Sequence, residues 1–196
     1  IDCSTEIGSL FVKIKNKTFN QVLQSDKSNN DLLVKQILDF LEKNDIKFED
    51  ISQIFVNQGP GSFSGLRASL AIAKGLSLSK NLKLSGYDTF IWSCSKFFNK
   101  KDYMFCLLKF REKYFLKKFD KYLNDVTTHT EISINQIVNN YNNEFIVIPK
   151  ETTKNTDKKI LKLNNLIITE LDHNELEFLQ LKGLLNENLI KPLYLS

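Results

Sequence analysis

The chain has 196 residues, enough for one large domain or two lobes of about a hundred residues each, and its 42% hydrophobic content is ordinary for a globular protein. A net charge of +4 and a pI near 8.8 are mildly basic, compatible with RNA nearby but too weak to require it. Cys3, Cys94 and Cys106 are an odd set without C-x-x-C spacing, and no signal peptide or membrane-length apolar run is recognisable. These features argue against a disulfide framework, a zinc site and a membrane span, and fit a reducing, cytoplasmic compartment.

In chain order, the pattern predicts strands at Ile1–Thr5, Gly8–Ile14 and Lys17–Leu23, with a hairpin turn at Lys15-Asn16-Lys17. A helix over 31–43, a strand over 51–56, a helix over 64–80, a strand over 82–87 and a helix over 88–98 follow. The order βββαβαβα describes a mixed sheet with helices packed on it. The polar break Asn99-Lys100-Lys101-Asp102 sets a boundary between lobes 1–99 and 100–196. Beyond it lie strand-like runs at 103–110, 113–122 and 145–148 and a helix at 175–185, with Lys150–Lys162 expected as a mobile loop. The start at Ile1 without a methionine, inside a strand-like run, suggests that a few residues are missing ahead of it.

The most informative stretch is Asn57-Gln58-Gly59-Pro60-Gly61-Ser62-Phe63-Ser64-Gly65-Leu66-Arg67, between a predicted strand and a predicted helix. Such a loop at a helix N-terminus presents free N–H groups suited to phosphate. Its spacing is neither a Walker A loop nor the dinucleotide fingerprint, because Gly59, Gly61 and Gly65 give G-x-G-x-x-x-G. A structural turn and an anion contact both remain open. Asp2, followed by Ser4, is the one carboxylate placed where phosphate-handling folds keep an acid; the alternative is that it accepts hydrogen bonds from its own turn.

The helix launched by the loop is apolar or small nearly all round. Ala68, Ala71, Gly75 and Ser79 form a small-residue flank beside Ile72, and glycine in a helix interior costs about 1 kcal/mol relative to alanine. Such a helix should be buried on more than one side. In the preceding helix Leu33, Val34, Ile37, Leu38, Phe40 and Leu41 spread over an arc of about 160°. Either both are well-buried core helices, or together they form an association surface.

Catalytic equipment is thin. His129 and His173 lack H-x-x-x-H or H-E-x-x-H spacing, there is no G-x-S-x-G elbow, and no cysteine has a basic neighbourhood. No metal or cofactor is expected.

Ile1-Asp2-Cys3-Ser4-Thr5, Gly59-Pro60-Gly61-Ser62-Phe63-Ser64-Gly65-Leu66-Arg67, Ala71-Ile72-Ala73-Lys74-Gly75-Leu76 and Lys191-Pro192-Leu193-Tyr194-Leu195 resemble signature segments of the TsaB (YeaZ) family. The resemblance is strong over residues 1–98 and weak beyond. Glu112-Lys113-Tyr114-Phe115 fits a Glu-x-Tyr-Phe strand, while Leu107-Leu108 stand where the family usually has an acid. It implies a two-lobed actin-like ATPase fold (ribonuclease H-like/ASKHA). It also implies the role of non-catalytic partner to a TsaD-like subunit that transfers threonylcarbamoyl to N6 of adenosine 37 in tRNAs reading ANN codons. A TsaE-like ATPase would be a further partner, a homodimer would form when the chain is alone, and tRNA would be touched weakly or indirectly. The implied interface residues are Leu33, Ile37, Phe40, Leu41, Arg67, Ala68, Ala71, Ile72, Gly75 and Ser79.

Arg67 sits in the first turn of its helix, where a cation opposes the dipole by about 0.3–1 kcal/mol, so a local carboxylate or an acidic group across an interface is expected to compensate. The basic ribbon Lys109, Arg111, Lys113, Lys117, Lys118, Lys121 is either a solvated strand face or an RNA contact. The rival functions are a small-molecule or sugar kinase of the same fold and, further off, a metallopeptidase-like protein.

Overall fold

The computed structural model describes residues 1–5, 7–23 and 32–195. The chain divides into two compact units, one of residues 1–88 with 185–194 and one of residues 89–184, whereas the sequence pattern had placed the division at 99/100.

In the first unit, β1 (Ser9–Ile14) and β2 (Lys17–Val22) pair antiparallel with Ile14 opposite Lys17. A two-residue hairpin connection requires left-handed backbone, and Lys15 supplies it at φ 54°. The strand expected over Ile1–Thr5 contracts to a single bridge between Asp2 and Ser9. Its extended course ends early because the Asp2 carboxylate accepts hydrogen bonds from the backbone N–H of Ser4 (2.8 Å) and Thr5 (3.3 Å), which turns the chain. Ile1 still lies against the next strand, donating to the Phe55 carbonyl at 2.8 Å and accepting from Asn57 N at 3.1 Å.

Helix α1 (Leu33–Lys43) follows; Asp31, expected to open it, lies outside the described residues. Strands β3 (Gln53–Asn57) and β4 (Lys83–Tyr87) are parallel neighbours, as a strand–helix–strand crossover through α2 (Phe63–Lys80) requires. Asn81 ends α2 in the left-handed conformation (φ 52°). Leu10, Ile37, Phe40 and Leu41 form one core with Ile72 and Leu76 of α2. Ile54, Val56, Leu70 and Ala73 form another, closed by Ile190 from the returning C-terminal segment.

The second unit opens with the buried helix α3 (Thr89–Cys94), which the pattern had carried to Phe98; a 3-10 turn, Ser95–Phe97, takes its last residues. Its sheet has the order β7-β6-β5-β8-β9, built from β5 (Tyr103–Phe110), β6 (Lys113–Asp120), β7 (Thr130–Ile132), β8 (Ile146–Pro149) and β9 (Leu166–Thr169). The uninterrupted buried run Met104–Leu108 suits a central strand covered on both faces. β6 stops at Asp120, not Tyr122, because the Asp120 carboxylate accepts from the N–H groups of Tyr122 (2.8 Å) and Asn124 (2.9 Å).

The segment expected as a loop over Lys150–Lys162 holds two 3-10 turns, Lys150–Asn155 and Ile160–Lys162, and buries Ile160 in the core with Leu107, Leu116, Ile137 and Ile146. Helices α4 (Ile134–Asn140) and α5 (Glu175–Leu181) complete the unit, and Gly183 at φ 71° stops the last helix short of its expected end at 185. No helix among the described residues is long and apolar enough to cross a membrane.

Candidate partner-binding face and glycine-rich loop

The glycines of the loop are explained by what stands beside them. A Cβ on Gly61 would lie 2.3 Å from the Ser4 carbonyl oxygen and 2.4 Å from its Cα; one on Gly65 would lie 2.7 Å from the Cys3 carbonyl oxygen. Gly59 adopts φ 118°, and a Cβ there would meet the Leu193 carbonyl at 2.8 Å. Backbone of this same chain therefore fills the space that the missing side chains leave. Two of the loop's donors are also spent internally: Gly59 N–H goes to Asn57 Oδ1 (2.9 Å) and Gly65 N–H to Ser62 Oγ (3.1 Å), the N-cap of α2.

Asp2 is buried, and Oδ1 accepts from Ser4 N and Ser4 Oγ, both at 2.8 Å, while Oδ2 accepts from Thr5 Oγ1 at 2.5 Å. The structure thus brings Asp2 and Ser4 together as a turn that the glycine loop packs upon. Beside them, burial and the Asp2 charge push the Cys3 thiol up to about 12, so it stays protonated at neutral pH and is no nucleophile.

Sequence reasoning missed Gln58, the buried fastener of this region. Its Nε2 donates to the Lys191 carbonyl (2.7 Å), its Oε1 accepts from Asn186 Nδ2 (2.7 Å), and its own carbonyl accepts from Leu193 N (2.6 Å). A Cβ on Gly86 would sit 2.4 Å from Gln58 Oε1, which accounts for the glycine in β4. The C-terminal Lys-Pro-Leu-Tyr segment is therefore a strap across the loop. Its available signal was that two conspicuous motifs stand at opposite ends of the chain, but nothing in either states that they meet.

The strap delivers Tyr194 to the start of α2. Phe63 and Tyr194 stack with centroids 5.3 Å apart, and the Arg67 guanidinium lies 3.8 Å above the Phe63 ring while its Nε donates to Tyr194 Oη at 3.2 Å. Among the described residues, aromatic rings take the place of the expected carboxylate beside Arg67. All three side chains are exposed.

The two helices differ from expectation in opposite ways. Leu33, Ile37, Phe40 and Leu41 are buried in the core of their own unit, so they cannot reach a partner; what α1 shows to solvent is Val34 and Leu38, about half exposed. Helix α2 buries one side only, through Gly65, Leu66, Ser69, Leu70 and Ala73. Arg67, Ala71, Gly75 and Ser79 are exposed, Ala68 and Ile72 are half-buried, and Leu78 is 84% exposed. Among the described residues, no atom beyond the backbone of α2 itself comes within 4 Å of where a Gly75 Cβ would be. The small flank is thus open, not packed against a neighbouring helix.

Of the basic ribbon, Lys117 is buried, paired with Asp125 at 2.9 Å, with its ammonium 4.9 Å from the Phe119 ring centre. Lys113 pairs with Glu131 (2.6 Å), and Lys109 reaches the Asn155 carbonyl (2.6 Å) and Glu112 (3.5 Å). His129 stacks on Phe90 at 6.0 Å. Among the described residues no three His, Cys, Asp or Glu side chains gather as a metal site.

A family model described as TsaD, tRNA N6-adenosine threonylcarbamoyltransferase, matches residues 23–108. A curated relative, the tRNA threonylcarbamoyladenosine biosynthesis protein TsaB of Buchnera aphidicola subsp. Baizongia pistaciae (strain Bp), is 39% identical over 83 residues. That match spans 41% of this chain and 37% of the relative's length. YeaZ from Pseudomonas aeruginosa has a similar solved structure, with a TM-score of 0.66 at 14% identity, over 99% of this chain and 97% of that one. A second solved structure, of a protein described as having similarity to peptidase YEAZ from Pseudomonas aeruginosa, gives a TM-score of 0.68 at 12% identity, covering 100% and 97%. The sequence likeness is thus confined to the first half of the chain, and the solved structures show a shared fold over its whole length.

Proposed function

We propose that this chain is a non-catalytic subunit of the machinery that attaches threonylcarbamoyl to N6 of adenosine 37 in tRNA, and that it acts in the cytoplasm by docking a TsaD-like catalytic subunit. The observation that carries the docking reading is the open side of α2. An 18-residue helix that leaves Ala71, Gly75 and Leu78 in water, with Arg67 held over aromatic rings at its start, is built to receive another helix. Small residues let two helix backbones approach closely, and Val34 and Leu38 of α1 extend the apolar area. The same face would serve a homodimer when the catalytic subunit is missing, and a TsaE-like ATPase would join the assembled pair.

The non-catalytic part of the reading rests on Asp2 and the glycine loop. A kinase of this fold needs a carboxylate and loop amides free to meet phosphate and its metal ion. Here the Asp2 oxygens are engaged by Ser4 and Thr5, and the loop is folded down on Cys3 and Ser4.

The test is co-expression with the cognate TsaD-like protein, followed by size-exclusion chromatography and an assay of threonylcarbamoylated tRNA. Wild-type chain should co-elute and be required for modification. Gly75→Leu should stay folded, since its site is open, yet be excluded from the complex. A complex that forms equally well with Gly75→Leu would overturn the docking face, and modification at full rate without the chain would overturn the function.

A further inference from the structure

One end of the second unit's sheet gathers lysines and aromatic rings that the proposed docking face does not use. Tyr103 opens β5 and is 54% exposed, and the Lys118 ammonium lies 4.1 Å from its ring centre. Asn99 N donates to the Lys121 carbonyl at 2.6 Å, which brings the 99–102 turn beside the end of β6. There Tyr122, 47% exposed, stands 5.9 Å from Phe98, with Lys121 5.1 Å from the tyrosine ring centre. Lys101 over Phe145 (5.4 Å) and Lys182 over Phe98 (5.2 Å) flank the pair.

The acids next to these residues in sequence are Asp102, Asp120 and Glu144, and Asp125, bridged to Phe119, is paired with Lys117 at 2.9 Å. Asp120 is already occupied, accepting at one oxygen from Tyr122 N and Asn124 N and at the other from Asn124 Nδ2 (2.9 Å). Lys100, Lys101, Lys118, Lys121 and Lys182 outnumber these acids, whereas at the other end of the β5–β6 hairpin Lys109 and Lys113 meet Glu112 and Glu131.

We propose that this end of the sheet is a contact surface for single-stranded RNA, with Tyr103 and Tyr122 as stacking platforms and Lys101, Lys118 and Lys121 as phosphate contacts. An exposed tyrosine ring stacks on any base through the face its lysine does not cover, and Lys118 over Tyr103 and Lys121 over Tyr122 keep a positive charge beside the stack for the linked phosphates. An anionic membrane would favour the lysines over a continuous apolar ridge, which alternating lysines and tyrosines do not make. That the RNA is a tRNA with an unstacked loop rests on the function proposed above; the surface chemistry does not.

The experiment is a fluorescence-anisotropy titration of the full chain with a labelled single-stranded oligoribonucleotide, a tRNA transcript and an RNA duplex, with vesicles containing phosphatidylserine in parallel. Binding should weaken with salt along a log–log slope of about −2, as expected for three phosphates at about 0.7 each on a single strand. Tyr103→Ala with Tyr122→Ala should weaken oligoribonucleotide binding about tenfold, and Lys101→Gln with Lys118→Gln and Lys121→Gln should flatten the salt slope. Lys13→Gln with Lys15→Gln and Lys17→Gln, in the hairpin of the first unit, should change neither, and circular dichroism of each variant should match wild type. Absence of RNA binding at low salt overturns the proposal. So does equal binding by the tyrosine or lysine variants, a duplex bound as tightly as the single strand, or lysine-dependent binding of vesicles in place of RNA. Gly75→Leu should leave these titrations unchanged, so failure of the docking reading and failure of the RNA surface are read separately.

Discussion

Asn186 donates to Gln58 across 128 positions of sequence, Nδ2 to Oε1 at 2.7 Å, and the same glutamine holds the Lys191 carbonyl with its other side-chain atom. One buried amide thus joins the glycine-rich loop to the strap that closes the first unit. Gln58→Ala should destabilise the chain by about 1–3 kcal/mol, because it removes a buried side chain and both of the hydrogen bonds by which that side chain ties the loop to the strap. Asn186→Ala should cost less, as its side chain is exposed and water replaces it. Urea unfolding monitored by circular dichroism distinguishes the two.

The glycines divide into those with a neighbour and those without, Gly75 and Gly183. Gly61→Ala should lower stability by about 3 kcal/mol or more, since its Cβ would meet backbone at 2.3 Å and backbone cannot swing aside. Gly75→Ala should raise the stability of the isolated chain by about 1 kcal/mol, the helix-propensity difference with no contact to oppose it. Thermal melts of both variants check the signs, and a destabilised Gly75→Ala would mean that the α2 flank is packed after all.

Stability should fall as pH rises above about 9. Burial holds the Cys3 thiol neutral up to about 12 in the folded chain, whereas the unfolded chain releases that proton near its ordinary value of 9.0. Ionisation therefore favours the unfolded state from about pH 9 upward, and the stabilisation is intact below it. Burial raises the Tyr87 phenol as well and acts in the same direction. Urea midpoints measured between neutral pH and pH 10.5 should decline, and Cys3→Ala should flatten the decline without abolishing it.

Arg67→Ala should weaken association with a TsaD-like subunit in a salt-dependent way if the guanidinium meets an acid there. Arg67→Lys should restore only part of the affinity, because an ammonium cannot lie flat on Phe63 while donating to Tyr194. Calorimetric titration at two ionic strengths measures both effects; identical affinities for wild type and Arg67→Ala would assign the residue to the aromatic cluster alone.

Local patterns were legible wherever a periodicity met a stop signal. The β1–β2 hairpin, the β3–α2–β4 crossover and the β5–β6 hairpin all stand within a few residues of their expected limits. The N-terminal strand failed because a side chain, Asp2, competes with the ladder for backbone donors, a contest that apolar patterning does not register. Misassignment of Leu33, Ile37, Phe40 and Leu41 has a different origin. A wide apolar arc says how much of α1 is greasy, not which residues its own core consumes, and the core took the larger ones and left Val34 and Leu38. Gln58 was invisible because its partners lie more than 120 positions away.

The strap also fixes an order of events during synthesis. Residues 185–194 leave the ribosome after every part of the second unit, yet Ile190 closes a core laid down by β3 and α2 and Tyr194 completes the rings under Arg67. The first half of the chain must therefore wait, partly open, while the second half is translated. A nascent chain stalled before Lys191 should be far more sensitive to protease in its early residues than in its later ones.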